Sequence, residues 1–363
     1  MKIKELSRYL ENFAPLALQE SYDNSGLLIG SPEKEVEKAL ITLDVTHEVM
    51  DEAIALGFGL IIAHHPLIFK GLKRLRGGNL VEDLVIKAVK NDVAIYAIHT
   101  NLDNVVEGVN ARLALQLGLK DTKILLPAGK LKKLVVFCPE SHADVIREAV
   151  LNAGAGYIGN YSHCSYATAG EGSFKALEGT HPFVGKQGEI HFEKEVRLEA
   201  IVSDNFLDVV LQAMLAVHPY EEVAYDIYAL ENTGVNTGAG MIGELPEAMA
   251  SADFLQRVKN RLGAQTLRHG KLIGKKVKKV AVSGGSGSFL MGKAFASGAD
   301  AFVTADLKYH DFFHYQNQMI LIDAGHYETE QFTKDLLFEL LTKKFPNFAL
   351  QISKFNTNPV SFL

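Results

Sequence analysis

The sequence is poor in cysteine, with only Cys138 and Cys164 in 363 residues. Two thiols cannot build a disulfide framework over that length, and they fall short of a thiolate zinc site. A long apolar run is also missing. The longest uncharged one, Ala53–Ala63, is far shorter than the ~20 residues a membrane helix needs. Basic charge is not in excess: 37 Lys+Arg against 43 Asp+Glu leave −6 with His neutral. That balance argues against a nucleic-acid binder relying on bulk charge. The opening MKIKELSRYL is charged at positions 2, 4, 5 and 8, so it does not read as a secretory signal. What is present is core material. A chain 47% hydrophobic and 22% charged folds rather than remaining disordered, and its length suits two or three domains. A soluble, cytoplasmic, globular protein is expected.

The first ~125 residues alternate between short apolar runs and helical patterns. Ala39–Leu43 ends at Asp44, and Thr46 is placed to cap a helix over His47–Leu56, closed by Gly57 and Gly59. Leu60–Ala63 runs into His64-His65-Pro66. A helix near Leu80–Lys90 precedes the strand Val93–Ile98, which runs into His99, and a helical stretch follows at Val105–Leu117. This pattern predicts an α/β sheet covered on both faces. After the middle of the chain it resumes: strand Lys279–Ser283, glycine turn Gly284–Gly287, helix Ser288–Ser297, strand Ala301–Thr304 reaching Asp306, strand Met319–Asp323 leading to His326, and a long helix over Thr329–Lys344.

Between them the order is strand (Leu134–Cys138), helix (Ala143–Ala153), a Gly/Ser/Tyr-rich strand, strand (Val196–Val202), helix (Phe206–Ala216) and strand (Ala224–Ala229). That βαββαβ order is the ferredoxin-like split unit. The expected organisation is therefore two related α/β lobes, 1–130 and 233–363, forming one metal-binding domain, with an inserted ferredoxin-like α+β domain at 131–232.

The two flanking segments repeat each other. KALITLDVT and GFGLIIAHHP in the first parallel KKVAVSGGS and GADAFVTADLKYH in the second. Each lobe also has a strand followed by His-x3-carboxylate: His99 to Asp103, and His326 to Glu330. Ligands in open α/β sheets bind at the carboxyl ends of strands, and the polar residues gather there. Adjacent His64 and His65 do not easily grip a single ion, but at a strand end they can serve two ions side by side. His326 and Glu330 share a face if a helix has begun. Each residue alone has a plain reading: His64 or His65 as a satisfied polar group, Asp103 as a helix cap, Glu330 as a surface acid. Together they make three imidazoles and two carboxylates, a set suited to Zn, Mn or Fe(II). The expected arrangement gives His64 and Asp103 to one ion and His65 and His326 to the other. Glu330 is the bridge of a pair ~3.5–4 Å apart.

These stretches, with Tyr22-Asp-Asn-Ser-Gly-Leu-Leu-Ile-Gly30, resemble the NGG-interacting-factor-like family, described as dinuclear-metal-centre hexameric proteins and as GTP cyclohydrolase 1 type 2 homologs. The resemblance runs through nearly the whole chain, and the family's ligand pattern falls on the same five residues. It implies two divalent ions per chain, Zn foremost with Fe or Mn as alternatives. It further implies a toroidal homohexamer of two stacked trimers with its metal sites facing an internal cavity. The insert, with His218-Pro-Tyr-Glu-Glu222, resembles the PII/CutA-like domain of longer members.

Two functions remain open at this stage. One is a metal-dependent hydrolase acting on a small molecule, a nucleotide such as GTP, with His99 moving protons; the plain alternative for His99 is a structural histidine. The other is a non-enzymatic metal-binding or regulatory assembly. Five ligands cannot saturate two ions, which favours an enzyme. An insert without a catalytic pattern favours regulation. Gly284–Gly287 has a plain turn or a phosphate cradle as its two readings. Ser162–Tyr166, with His163 and Cys164, reads as a hairpin surface, and Glu33–Lys38 and Lys271–Lys279 as solvated faces. Neither a membrane nor a nucleic-acid partner is expected.

Overall fold

The computed structural model describes residues 1–159, 161–234 and 236–363. The chain divides into two compact units, one made of 1–126 with 237–363 and the other of 127–236. Each boundary lies four residues from the expected divisions at 130/131 and 232/233.

The discontinuous unit holds two sheets. In the first, the strand order is Gly26–Ile29, Ala94–Ala97, Leu60–Ala63, Lys38–Thr42, Ala349–Ile352. All neighbours are parallel except the first pair. The second runs Arg268–His269, Ile320–Asp323, Ala301–Ala305, Val277–Ser286, Gly238–Met249, Lys120–Pro127. Its Arg268–His269 edge is antiparallel to Ile320–Asp323, and the next three strands are mutually parallel. Both sheets thus set an antiparallel edge strand beside three parallel strands in the same relative order. The repeat seen in the sequence is a repeat of topology.

The parallel strands Leu60–Ala63, Ala94–Ala97, Ala301–Ala305 and Ile320–Asp323 are buried along their whole length. Such strands need cover on both faces. For the first sheet, Ile3–Phe13 and Thr333–Lys344 supply one side, and His47–Leu56 with Leu80–Lys90 the other. Val109–Leu117 and Ser251–Leu262 pack on one face of the second, and Leu290 and Ala294 lie on the other. The cover is positioned by its ends. Thr46 accepts the N–H of Val49, and Gly57 closes the helix at φ 70°, a left-handed conformation that costs glycine little.

Three expectations need correction. The helix foreseen over Val105–Leu117 begins at Val109, after a separate short helix Thr100–Asp103. Asp103 therefore ends one helix rather than capping the next. The long helix over Thr329–Lys344 is two, His326–Glu330 and Thr333–Lys344. Finally, the strand expected to stop at Ser283 continues to Ser286 through an irregularity, since Val282 pairs with Val303 but Ser286 with Ala305. Gly284 and Gly285 lie within that bulge and not in a free turn.

In the unit 127–236, strands Lys130–Pro139, Ser165–Lys175, Ile190–Ser203 and Tyr225–Thr233 form one antiparallel sheet in the order second, third, first, fourth. Helices Ala143–Asn152 and Leu207–Val217 cover one face, with Leu134, Val136, Ile146, Leu198, Val210 and Met214 in the core. His163 is exposed and Cys164 half-buried just ahead of the second strand, which opens at the exposed Ser165.

The two strands that bracket this unit are neighbours in the second sheet. A Cβ built on Gly240 would lie 3.4 Å from the Leu125 side chain, so the chain leaves and re-enters that sheet close by. Replacing Pro127–Asn236 with a short Gly/Ser join should therefore leave a soluble protein with one cooperative urea transition and its metal-binding stoichiometry intact. Loss of cooperative unfolding in that variant would show that the larger unit needs the smaller one to fold.

Candidate metal centre

The chain leaves the strand Leu60–Ala63 directly into His64 and His65, whose N–H groups are held by the carbonyls of Thr42 and Leu43 at 3.2 and 3.0 Å. Outside the pleat the two rings lie side by side, with centroids 4.9 Å apart; His65 lines a cavity and His64 is fully buried behind it. His99 follows the strand Ala94–Ala97 and caps the short helix ending at Asp103. His326 and Glu330 stand one turn apart on their own short helix. His65, His99, Asp103, His326 and Glu330 line a cavity of about 790 Å³ in the larger unit, and the buried His64 reaches to 3.8 Å from Asp103.

The ring nitrogens are disposed in one way. His64 Nδ1 donates to the carbonyl of Ile98 at 2.8 Å, and His65 Nδ1 to Asp44 at 2.7 Å. His99 Nδ1 donates to Asp23 at 2.8 Å, and His326 Nδ1 to Asp306 at 2.6 Å. Each Nε2 is thereby left as the nitrogen available for a ligand, which is how imidazoles are oriented around a metal ion. Glu330 lies at the meeting point. Its Oε2 is 3.0 Å from His65 Nε2, 3.1 Å from His326 Nε2 and 4.0 Å from His64 Nε2. Asp103 Oδ1 is 3.8 Å from His64 Nε2. Two ligand atoms on a tetrahedral ion at ordinary bond lengths sit ~3.3 Å apart, so these separations suit shared coordination. Ligand atoms of His64, His65 and His99, and of His65, His326 and Glu330, fall within 4.8 Å of one another.

Two atoms decide the reading. His64 Nε2 and Asp103 Oδ1 are buried and have no hydrogen-bond partner. A buried polar atom without a partner costs about 1–3 kcal/mol, and these two face each other across a gap. A cation between them removes both costs.

The titration behaviour points the same way. Burial pushes the His64 imidazole down to about 3, so it stays a neutral base. Burial and the nearby Glu330 raise the Asp103 carboxyl to about 7. Burial opposes ionisation of Glu330, yet hydrogen bonds from His326 and His65 hold its carboxyl well below the usual range. Burial also opposes charging of His65 and His326. Bonds to Asp44 and Glu330 nevertheless hold His65 at about 10, and bonds to Asp306 and Glu330 hold His326 at about 11. The carboxylates demand positive charge, and protons on two histidines supply it. A divalent ion satisfies the same demand and displaces those protons.

All five residues singled out as ligands, and His99, meet at this place. Asp103 is the outlier, approaching His64 but outside both tight groups. The supporting carboxylates Asp44, Asp306 and Asp23 were not foreseen as part of the site. Asp44 and Asp306 stand just beyond strand ends, at the carboxyl side where such residues gather, and that position was the available signal. Asp306 adopts φ 56°, an uncommon conformation for a residue with a side chain; it accepts from Ser286 Oγ as well as His326.

The glycine bulge serves the centre and not a phosphate. The N–H of Gly284 donates to Asn110 and that of Gly285 to Thr329, at 2.9 and 3.0 Å. A Cβ on Gly285, at φ 58°, would fall against Glu330 Oε1 and lie 3.1 Å from His326 Cε1. No helix among the described residues is long and apolar enough to cross a membrane.

The family model Duf34/NIF3 (NGG1p interacting factor 3) matches residues 1–359. A Halalkalibacterium halodurans protein named GTP cyclohydrolase 1 type 2 homolog is 42% identical over 359 residues, covering 97% of this chain and 96% of the relative. A Bacillus subtilis protein of the same name is 41% identical over 371 residues, covering 99% and 98%. Among solved structures, a Bacillus cereus protein related to NIF3 matches with a TM-score of 0.83 at 41% identity, covering 100% of this chain and 99% of that one.

Gly285→Ala should lower affinity for zinc at least tenfold by driving Glu330 out of position, with little change in circular dichroism. Asp44→Asn and Asp306→Asn should each cost ~10–100-fold in metal affinity, the usual scale for losing a carboxylate that orients a ligand histidine. Competition titration against a chromogenic chelator reads all three.

Proposed function

The chain belongs to the Duf34/NIF3 (NGG1p interacting factor 3) family, and from that premise we propose that it is a metal-dependent hydrolase built on a pair of divalent ions. The observation that carries this reading is the facing pair of buried, partnerless atoms, His64 Nε2 and Asp103 Oδ1, beside the carboxylate of Glu330. His64 and Asp103 would hold one ion and His65 and His326 the other, with Glu330 placed to serve both. Imidazole and carboxylate donors suit zinc, with manganese or iron(II) compatible. Such ions, when bound, polarise a substrate oxygen and lower the pKa of water.

The chain's own residues do the rest. Asp44, Asp306 and the Ile98 carbonyl fix three imidazoles so that each presents Nε2 inward. His99 is held through Nδ1 by Asp23, whose own carboxyl is kept well below its usual range by bonds from His99 and Thr100 in spite of burial. Its Nε2 can take a proton from the attacking water and return it to the leaving group. The names of the relatives support a nucleotide of the GTP type as substrate; the reaction we propose for it is hydrolytic opening of the imidazole ring with release of formate. The strand order of the unit 127–236 supports a ferredoxin-like domain of PII/CutA type. The assembly we propose is a cytoplasmic homohexamer of two stacked trimers.

Elemental analysis of protein reconstituted with zinc, manganese or iron should give close to two ions per chain; a reproducible value at or below one would refute the paired centre. Glu330→Gln should weaken both sites together, because the bridging charge offsets the repulsion between two dications. Asp103→Asn should empty one site and His326→Ala the other. If Asp103→Asn loses both ions while Glu330→Gln keeps one at wild-type affinity, the bridge is Asp103. Metal-loaded protein that turns over none of a panel of nucleotides, phosphodiesters and peptides would instead favour a binding or regulatory assembly.

A further inference from the structure

Beside the metal centre lies a wall of exposed rings that the hydrolytic scheme does not use. Tyr22 is 62% exposed and Phe69 43%, yet both line the same cavity as His65 and Glu330. Their ring centroids are 6.2 Å apart, and Phe69 is 6.1 Å from His99. His99 in turn is 5.3 Å from His64 and 5.2 Å from His65. A line of π-systems therefore leads from solvent to the ligand histidines. Both rings stand on braced chain: Asp23 is tied to His99 and Thr100, and Asn24 donates to the carbonyl of Ile68 at 2.6 Å.

The chain leaving Phe69 is cationic. Lys70, Lys73, Arg74 and Arg76 lie on an exposed loop with no acidic residue between Leu67 and Val81. Among the described residues none of the four makes an ion pair. The nearest acids in sequence are engaged with the backbone: Glu82 accepts the N–H of Arg76 at 2.9 Å, and Asp83 that of Gly78 at 3.0 Å. Inside the cavity the balance is opposite, since Asp44, Asp103, Asp306 and Glu330 crowd the centre. A ligand that fits both surfaces brings a flat ring to the wall and an anionic group to the loop.

We propose that Tyr22 and Phe69 form a stacking platform for a planar heterocycle whose electrophilic carbon reaches the metal centre, and that Lys70, Lys73, Arg74 and Arg76 receive a phosphate carried on the same molecule. This rests on the hydrolase reading above and assigns the residues that seat the ring and the phosphate of the substrate class proposed there. Neither ring touches a reacting atom; both are positioning residues. Stacking tolerates any base with a π-face, so the platform selects for a ring and the loop selects for charge.

The test uses the full, metal-loaded chain and isothermal titration with four probes: GMP, AMP, guanosine and ribose 5-phosphate. Monophosphates keep chelation of the ions small. At least one purine monophosphate should bind more tightly than guanosine and than ribose 5-phosphate. Tyr22→Leu and Phe69→Leu should each weaken that nucleotide about tenfold, leaving ribose 5-phosphate affinity and metal content unchanged. The double variant Lys73→Gln/Arg74→Gln should weaken nucleotide and ribose 5-phosphate alike, flatten their salt dependence and leave guanosine unaffected. Equal binding of ribose 5-phosphate and both nucleotides, with no effect of Tyr22→Leu, would overturn the platform. So would a change of oligomeric state in the leucine variants without any loss of purine binding, which would make the wall a subunit contact. Should wild-type protein show the expected binding pattern yet hydrolyse nothing, the platform stands and the hydrolase reading falls.

Discussion

Glu330 is a fully enclosed carboxylate with two imidazole nitrogens within 3.1 Å and a third at 4.0 Å. An ionised carboxylate in such a place is stable only if positive charge is held against it. The short helix presenting it, the glycine bulge that makes room for it, and the carboxylates behind each histidine all follow from that requirement. Removing the compensating charge would leave a buried anion, at a cost of several kcal/mol.

The fold meets this requirement by duplication. Each sheet delivers a histidine-bearing segment at the carboxyl ends of its parallel strands, so neither half holds the full donor set. His64, His65 and Asp103 come from one half, His326 and Glu330 from the other. The strands themselves are buried along their length, and short helices after them turn the polar residues into the cavity. Rigidity at the centre is therefore borrowed from packed sheet and helix, not from loops, which suits a site whose donors must hold their places within a few tenths of an ångström.

Much of this was legible in the sequence, and for a definite reason. Buried parallel strands read as short β-rich runs, and their ends are marked wherever the chain turns abruptly polar, as at Ala63-His64 and Ile98-His99. Helix ends with chemical signatures, such as Thr46 and Gly57, could be placed to the residue. The failures share a cause as well. Asp44 and Asp306 each act by accepting one N–H from a histidine 20 or 21 positions away, and no local pattern announces such a pairing. Gly284-Gly285 had the composition of a turn, but the requirement it meets is space for Glu330, contributed some 45 residues later. The break between Glu330 and Thr333 is likewise tertiary, since periodicity runs on through it.

The interleaving of the chain has a consequence for how the protein is made. Synthesis delivers His64, His65 and Asp103 first, then the whole of the separate unit 127–236, and only afterwards His326 and Glu330. The strand Ala349–Ile352, which completes the first sheet beside Lys38–Thr42, emerges later still. During translation the early donors form at most half a nest, without the carboxylate that joins the two halves. The full donor set therefore cannot assemble before His326 and Glu330 have been made. An ion that needed both halves of the nest would report assembly of the larger unit and would not direct its early steps.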